Sequence, residues 1–178
     1  MIPLTPALLV ATAQAFVDLG EEGGDNRGQM VELFLKGVGQ KAGAPWCAAF
    51  VHHVGYRSHF DHRLDDSSWP LPATASCWAL HDFAERHKLL RDTPRFGDVF
   101  LVKAKGANMY IHTGIVVTLD DAAPTEEDVK YVCTCIEGNT NNDGSSHGYT
   151  TLRRPRKFRE GDKFIRWVLL DGRRKKAA

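Results

Sequence analysis

Apolar residues recur at helical spacing in the first half of the chain and switch to strand-like runs in the second. In residues 8–19, Leu8, Leu9, Ala11, Thr12, Ala15, Phe16 and Leu19 form one stripe, the mark of an amphipathic helix. Met30, Val31, Leu33, Phe34 and Leu35 make a second helical pattern ending near Gly37 or Gly39. Pro45 then ends what precedes it, because proline cannot continue a helix and holds its predecessor extended. From Ala48 the residues Ala49, Phe50, Val51 and Val54 suit a buried helix that Gly55 closes. ASCWALHDFAERHKL, residues 75–89, reads as another helix capped by Ser76.

The period changes after Pro94 and Gly97. Val99, Phe100, Leu101 and Val102 form a short apolar run suited to a buried strand, followed by MYIHTGIVVTLD (109–120), YVCTCIEGNT (131–140), TTLRRPRKF (150–158) and KFIRWVLLD (163–171) as further strands. About three helices followed by about five strands is an α+β layout, helices packed on an antiparallel sheet. After the helix that starts near Ala48, RSHFDHRLDDSSWPLPATAS is irregular and leaves Trp69 exposed, the kind of long loop from which substrate walls are built.

With 178 residues, 43% hydrophobic and 25% charged, the chain suits a single domain spanning residues 1–178, with a basic tail at about 171–178. No run is long enough to span a membrane. The apolar start lacks a preceding Lys or Arg and carries two prolines, so a helix is expected rather than a signal peptide, with synthesis in the cytoplasm. Charge is unevenly placed: residues 151–178 hold eleven Lys and Arg against three Asp and Glu. Such a cationic end is drawn to an anionic envelope surface. No nucleic-acid-binding motif accompanies it.

The chemistry concentrates at PWCAAFVHHV, residues 45–54, which sets Cys47 at a helix N-terminus. There the unpaired backbone N–H groups and the positive end of the helix dipole favour a thiolate, the nucleophilic form, and can bind an oxyanion. A base is available in His112, on a strand between Ile111 and Thr113, and Glu137 or Asn139 on the next strand can reach its second nitrogen. Cys133 and Cys135 alternate along a strand and read as buried small residues. His52, His53, His59 and His62 match no closed zinc pattern. Asp25 and Asn26 offer oxygen donors for calcium, but the DNRG loop has too few carboxylates for a self-sufficient site. No metal or other cofactor is expected.

PWCAAFV at a helix start, GDVFLV with IHTGIV, and EGNTN closing the next strand resemble the CHAP family, cysteine- and histidine-dependent amidohydrolases and peptidases among the papain-like cell-wall hydrolases. The resemblance runs from about residue 8 to residue 170. It implies a papain-like fold with Cys47 as nucleophile, His112 as base, Glu137 orienting His112 and Asn139 as a further polar member of the site. It also implies a peptidoglycan substrate, cut either between muramic acid and L-alanine or within the peptide stem or bridge. On that reading the enzyme is a monomer acting at the bacterial cell wall or periplasm after release or export, as a phage lysin, as an effector with an immunity protein for partner, or as an enzyme of a prophage-like element. Trp46, Trp69 and Trp78 are the aromatic residues expected to line its substrate groove. Three readings compete: a cysteine peptidase, transglutaminase or deamidase acting on protein, a metallohydrolase using the histidine cluster, and a non-catalytic wall-binding module.

Overall fold

Four helices and six strands follow one another in the computed structural model, which describes residues 4–60, 69–120, 126–141 and 148–168. The helices are α1 (Pro6–Gln14), α2 (Gln29–Gly37), α3 (Cys47–Phe60) and α4 (Cys77–Arg86). The strands are β1 (Leu90–Arg91), β2 (Val99–Lys103), β3 (Tyr110–Leu119), β4 (Val129–Thr140), β5 (Thr150–Arg159) and β6 (Lys163–Ile165). The fold is α+β, as the switch of period indicates. All four helical stretches form separate helices, one more than the layout counted. The additional strand is β1, two residues that pair with β6 and carry no periodic signal of their own. The basic tail at 171–178 and His62 lie outside the described residues.

Local chemistry sets most helix boundaries. Thr5 caps α1 by accepting from the Leu8 N–H at 3.2 Å, with Pro6 opening the helix. Ser76 caps α4 by accepting from the Ala79 N–H at 3.2 Å. Two expected boundaries move. Helix α1 stops at Gln14 rather than running to Leu19, because residues 18–21 turn to pair with β5 through Asp18 N–H to Thr151 O, Thr151 N–H to Leu19 O and Glu21 N–H to Tyr149 O. That pairing covers an otherwise open sheet edge. Helix α3 runs through Gly55 to Phe60 rather than closing there, because the bare Cα of Gly55 is where the Trp69 indole lies; a Cβ would fall 2.1 Å from that ring.

The antiparallel sheet has the order β1-β6-β2-β3-β4-β5. Its helix-facing side joins the helices in the larger core, built on Leu9, Val31, Phe34, Trp46, Phe50, Leu80 and Ile115 among others. A smaller core on the other side gathers Phe100, Val116, Cys133, Cys135, Phe158 and Phe164. Phe158 on β5 meets Phe164 on β6 at 4.9 Å although three strands separate β5 from β6 in the sheet. A flat sheet would hold such strands roughly 19 Å apart, so the sheet curls around this second core. Cys133 and Cys135 are buried in it, as their spacing suggested.

The basic stretch is less of a cationic face than its composition suggests. Among the described residues Lys157 pairs with Glu126, Arg159 with Asp128 at 2.7 Å and Glu126 at 3.4 Å, and Lys163 with Asp92. The acidic end of the β3–β4 link therefore neutralises the adjacent edge of β5. Arg166 is buried against Asp98, at 2.9 Å, and donates to the Thr93 carbonyl at 3.0 Å. With the Trp167 indole donating to the Gly97 carbonyl at 2.8 Å, it anchors the end of the described chain to the start of β2.

Helix α3 meets β4 at Gly138, where a Cβ would lie 2.6 Å from the Trp46 ring and 2.8 Å from Phe50. Both neighbours are fully buried, so neither can yield cheaply. Gly138→Ala is expected to cost about 1–3 kcal/mol and to lower Tm by roughly 2–12 °C. A thermal scan followed by circular dichroism checks this; an unchanged Tm would mean that the helix–strand contact is looser than its geometry.

Candidate active site

Two β-bulges and a helix N-terminus converge on one buried cluster. The β2–β3 register slips between Val102↔His112 and Lys103↔Tyr110, and the β4–β5 register slips between Glu137↔Leu152 and Thr140↔Thr150. Bulges re-aim side chains relative to a regular strand. Here they flank His112 and the Glu137–Asn139 segment, which face the first residue of α3, Cys47.

His112 gives Nε2 to Glu137 Oε2 at 2.5 Å. That leaves Nδ1, a buried atom without a hydrogen-bond partner among the described residues, free to serve the thiol. Nucleophile–base pairs of this kind are commonly loose without substrate and tighten when it binds. Exposure is 3% at Cys47, 2% at His112 and 0% at Glu137, so the groups interact at low dielectric with little screening.

Glu137 and Asn139 do not share one task. Asn139 sits at φ 55°, which turns it out of the strand. Its amide oxygen accepts from the Trp46 backbone N–H at 3.2 Å, and its amide nitrogen donates to the Gly148 carbonyl at 2.5 Å and to Asn26 Oδ1 at 3.3 Å. Glu137 holds the imidazole, then, while Asn139 secures the backbone just before Cys47. A second tie runs beneath it: Glu21 accepts from the Trp46 indole N–H at 3.1 Å and from the Asn26 N–H at 3.0 Å, and Asn26 donates to the Gly43 carbonyl at 3.3 Å. The Asp25–Asn26 loop, weighed above for calcium, thus serves as a brace for the start of α3. Among the described residues no group of three or more His, Cys, Asp or Glu is gathered for a metal.

Three neighbours carry no signal that sequence reasoning used. Arg156 on β5 donates through Nε to Glu137 Oε1 at 3.0 Å and through its Nη2 to Oε2, while its guanidinium lies 5.3 Å over the Phe100 ring. Arg154 stands 3.8 Å from the same carboxylate. Their alternation along β5 was the available clue. Cys77, the first residue of α4, places its sulfur 3.7 Å from that of Cys47. Ser76 as cap and the cysteine after it repeat the placement of Cys47, a likeness visible only once both helix starts are known.

The electrostatics follow from these contacts. The hydrogen bond with Cys77 does most to hold the Cys47 thiol well below its ordinary range; burial opposes it, and the His112 hydrogen bond and charge and the Ala48 N–H add to it. Cys77, sharing its proton with that thiolate, is pushed well above the usual thiol range. Burial works against a charged His112, but hydrogen bonds and charges from Cys47 and Glu137 outweigh it and raise the imidazole. Burial likewise opposes an ionised Glu137, yet His112 and Arg156 together hold it below the usual carboxylate range. Both shifts favour an ionised Cys47 beside a charged His112.

The three tryptophans part company. Trp46 is wholly buried and Trp69 is 6% exposed against Trp167 at 5.4 Å, so both are core residues rather than groove walls: their rings fill the space over Phe34 and Gly55. Trp78 is 45% exposed. It stacks on His81 at 5.5 Å, and His81 on Tyr110 at 4.3 Å, two residues before His112. Of the histidines weighed for zinc, His53 packs against Phe34 and Phe16 instead.

No family model, no curated protein and no solved structure matches this chain.

The ion pair has a measurable signature. A free thiol with a pKa near 8.5 alkylates about tenfold more slowly for each pH unit below that value. Because the thiolate is the reacting form and its pKa is depressed, alkylation of Cys47 by iodoacetamide should stay nearly flat as pH falls from 8 to 6. Glu137→Gln removes the charge that sustains the imidazolium, so its alkylation rate at pH 6 should drop at least about tenfold. Coincident profiles for the two folded proteins would refute the coupling.

Proposed function

We propose that this chain is a cysteine amidohydrolase of CHAP type, with a papain-like arrangement of helix and sheet, that cleaves an amide bond of peptidoglycan. The observation that carries the reading is the linear set Cys47, His112, Glu137: a thiolate at a helix N-terminus, an imidazole beside it, and a carboxylate fixing that imidazole from behind. This is the order that nucleophile, base and orienting group require. The family motifs quoted above fall on these same residues.

In the proposed reaction the Cys47 sulfur attacks the amide carbonyl, and the carbonyl oxygen takes up negative charge against the Cys47 backbone N–H at the start of α3. His112 delivers its proton from Nδ1 to the departing amine, leaving a thioester. Neutral His112 then accepts a proton from water as the hydroxide attacks that thioester. The acid is released, the thiolate re-forms, and the sum is amide plus water giving acid plus amine. Glu137 holds the imidazole in register through both transfers, and Arg156 holds Glu137. The exposed indole of Trp78, backed by His81 and Tyr110, offers an apolar ring face for a sugar or stem peptide beside the nucleophile. The site of action on this reading is the bacterial wall.

Mass analysis of purified peptidoglycan after incubation with wild type and with Cys47→Ala tests the proposal. Fragments from the wild type alone are expected, with activity of the variant reduced by several orders of magnitude, and their masses name the bond. Release of new amines from protein but not from peptidoglycan would move the substrate class and retain the chemistry. Trp78→Ala is expected to raise KM about tenfold with kcat within about twofold, the pattern for lost uniform binding; a fall in kcat alone would place Trp78 outside the substrate face.

A further inference from the structure

Four cysteines are buried among the described residues, and only one is used by the chemistry above. Cys133 and Cys135 lie in the smaller core, where burial pushes Cys133 up to about 12 and Cys135 well above the usual thiol range. Cys77 differs from both. It opens α4 as Cys47 opens α3, the two helix starts face each other, and the sulfurs stand 3.7 Å apart across thirty residues of chain. Slight exposure remains at each, 3% for Cys47 and 6% for Cys77, enough for a reagent the size of water. We infer that Cys47 and Cys77 form an oxidative modification site, at which hydrogen peroxide converts the two thiols into a reversible disulfide.

The chemistry balances with peroxide as the oxidant. The Cys47 thiolate attacks the peroxide: an S–O bond forms, the O–O bond breaks, and hydroxide leaves to be protonated to water, so that Cys47 is a sulfenic acid. Cys77 then attacks that sulfur: an S–S bond forms, the S–O bond breaks, and the leaving hydroxide departs as water with the proton that Cys77 gave up. Two thiols and one peroxide become one disulfide and two waters. The sulfurs need to close by roughly 1.7 Å to reach disulfide length, a side-chain movement rather than a rearrangement of helices.

The second step is assisted by the first. What does most to keep Cys77 protonated is its hydrogen bond to Cys47, followed by burial and by the Cys47 charge. Conversion of Cys47 to a neutral sulfenic acid removes that charge, while the α4 N-terminus remains to favour the Cys77 thiolate. The resolving thiol is thus released at the moment it is needed. Without it a sulfenic acid in this position is open to irreversible oxidation. That the disulfide silences the enzyme rests on Cys47 being the nucleophile proposed above; its formation does not.

Hydrogen peroxide added to the reduced full-length protein, followed by alkylation and peptide mapping by mass spectrometry, tests this without any substrate. The expected result is a linked Cys47–Cys77 peptide pair that dithiothreitol releases, with Cys133 and Cys135 still alkylated. With Cys133 at about 12 and the Cys47 thiol held low, thiolate content alone should make Cys133 slower than Cys47 by on the order of a hundred-thousandfold near pH 7. In Cys77→Ala, checked for native circular dichroism, Cys47 is expected to proceed to sulfinic acid that dithiothreitol does not restore. Sulfinic acid at Cys47 of the wild type with Cys77 still alkylated would overturn the inference, as would an unreacted Cys47. If the linked pair forms and the reduced protein releases no wall fragments, the hydrolase reading fails and this one stands.

Discussion

A carboxylate with no solvent exposure sets the terms for everything around it. Isolated in a protein interior, the Glu137 anion would cost several kcal/mol and would protonate instead. It stays ionised because Arg156 takes both of its oxygens from one side and His112 one of them from the other. Burial opposes a charged imidazole, but Cys47 and Glu137 raise it, and the contacts of Cys47 with Cys77 and His112 lower the thiol. Charges alternate along a row from Arg156 to Cys47, so each buried ion has opposite charge beside it. Removing any one leaves its neighbours uncompensated, which is why the members act as a unit.

The framework around the row exists to hold three elements that are distant in sequence at ion-pair range. Helix α3 brings Cys47, and its start is fixed twice, by Asn139 at the Trp46 N–H and by Glu21 at the Trp46 indole. Strands β3 and β4 bring base and carboxylate, each beside a bulge. Gly138, between Glu137 and Asn139, lets β4 approach Trp46 and Phe50 closely enough for both contacts. Trp46 is therefore a buried anchor for the start of α3 and its Cys47, a role that a solvent-facing indole could not fill.

Much of this was legible in the residues, and the remainder shows where local patterns stop. The change from helical to strand spacing gave the α+β layout because each element is amphipathic or apolar over enough residues to show its period. The pairing of Cys47 with His112 and Glu137 was accessible because chemistry restricts which side chains can act together. Strand β1 was not, since two residues have no period. The end of α1 and the continuation of α3 through Gly55 depend on partners far along the chain, Thr151 and Trp69, and local propensity yields to such contacts. Arg156 read as one charge of the cationic stretch 151–178 because composition cannot tell a solvated guanidinium from one buried against a carboxylate. Asn139 read as strand alternation because a single positive φ reverses the side that a residue serves.

Charge balance along the row also bears on how the proposed reaction would proceed. At rest Arg156, Glu137, His112 and Cys47 sum to zero, a state that a dry site tolerates. Attack on a carbonyl carries the negative charge of Cys47 off to the oxyanion, and collapse to a thioester would remove it from the site. The imidazolium would then face one anion, Glu137, already shared with a guanidinium, and the row would carry an excess positive charge in a medium that screens it poorly. Loss of the proton from Nδ1 to the departing amine restores neutrality. The same contacts that raise His112 in the resting state thus weaken at the step where it must act as an acid, because the largest of them is the Cys47 thiolate itself. A base held only by Glu137 would lack that change; a base coupled to its own nucleophile acquires it from the reaction.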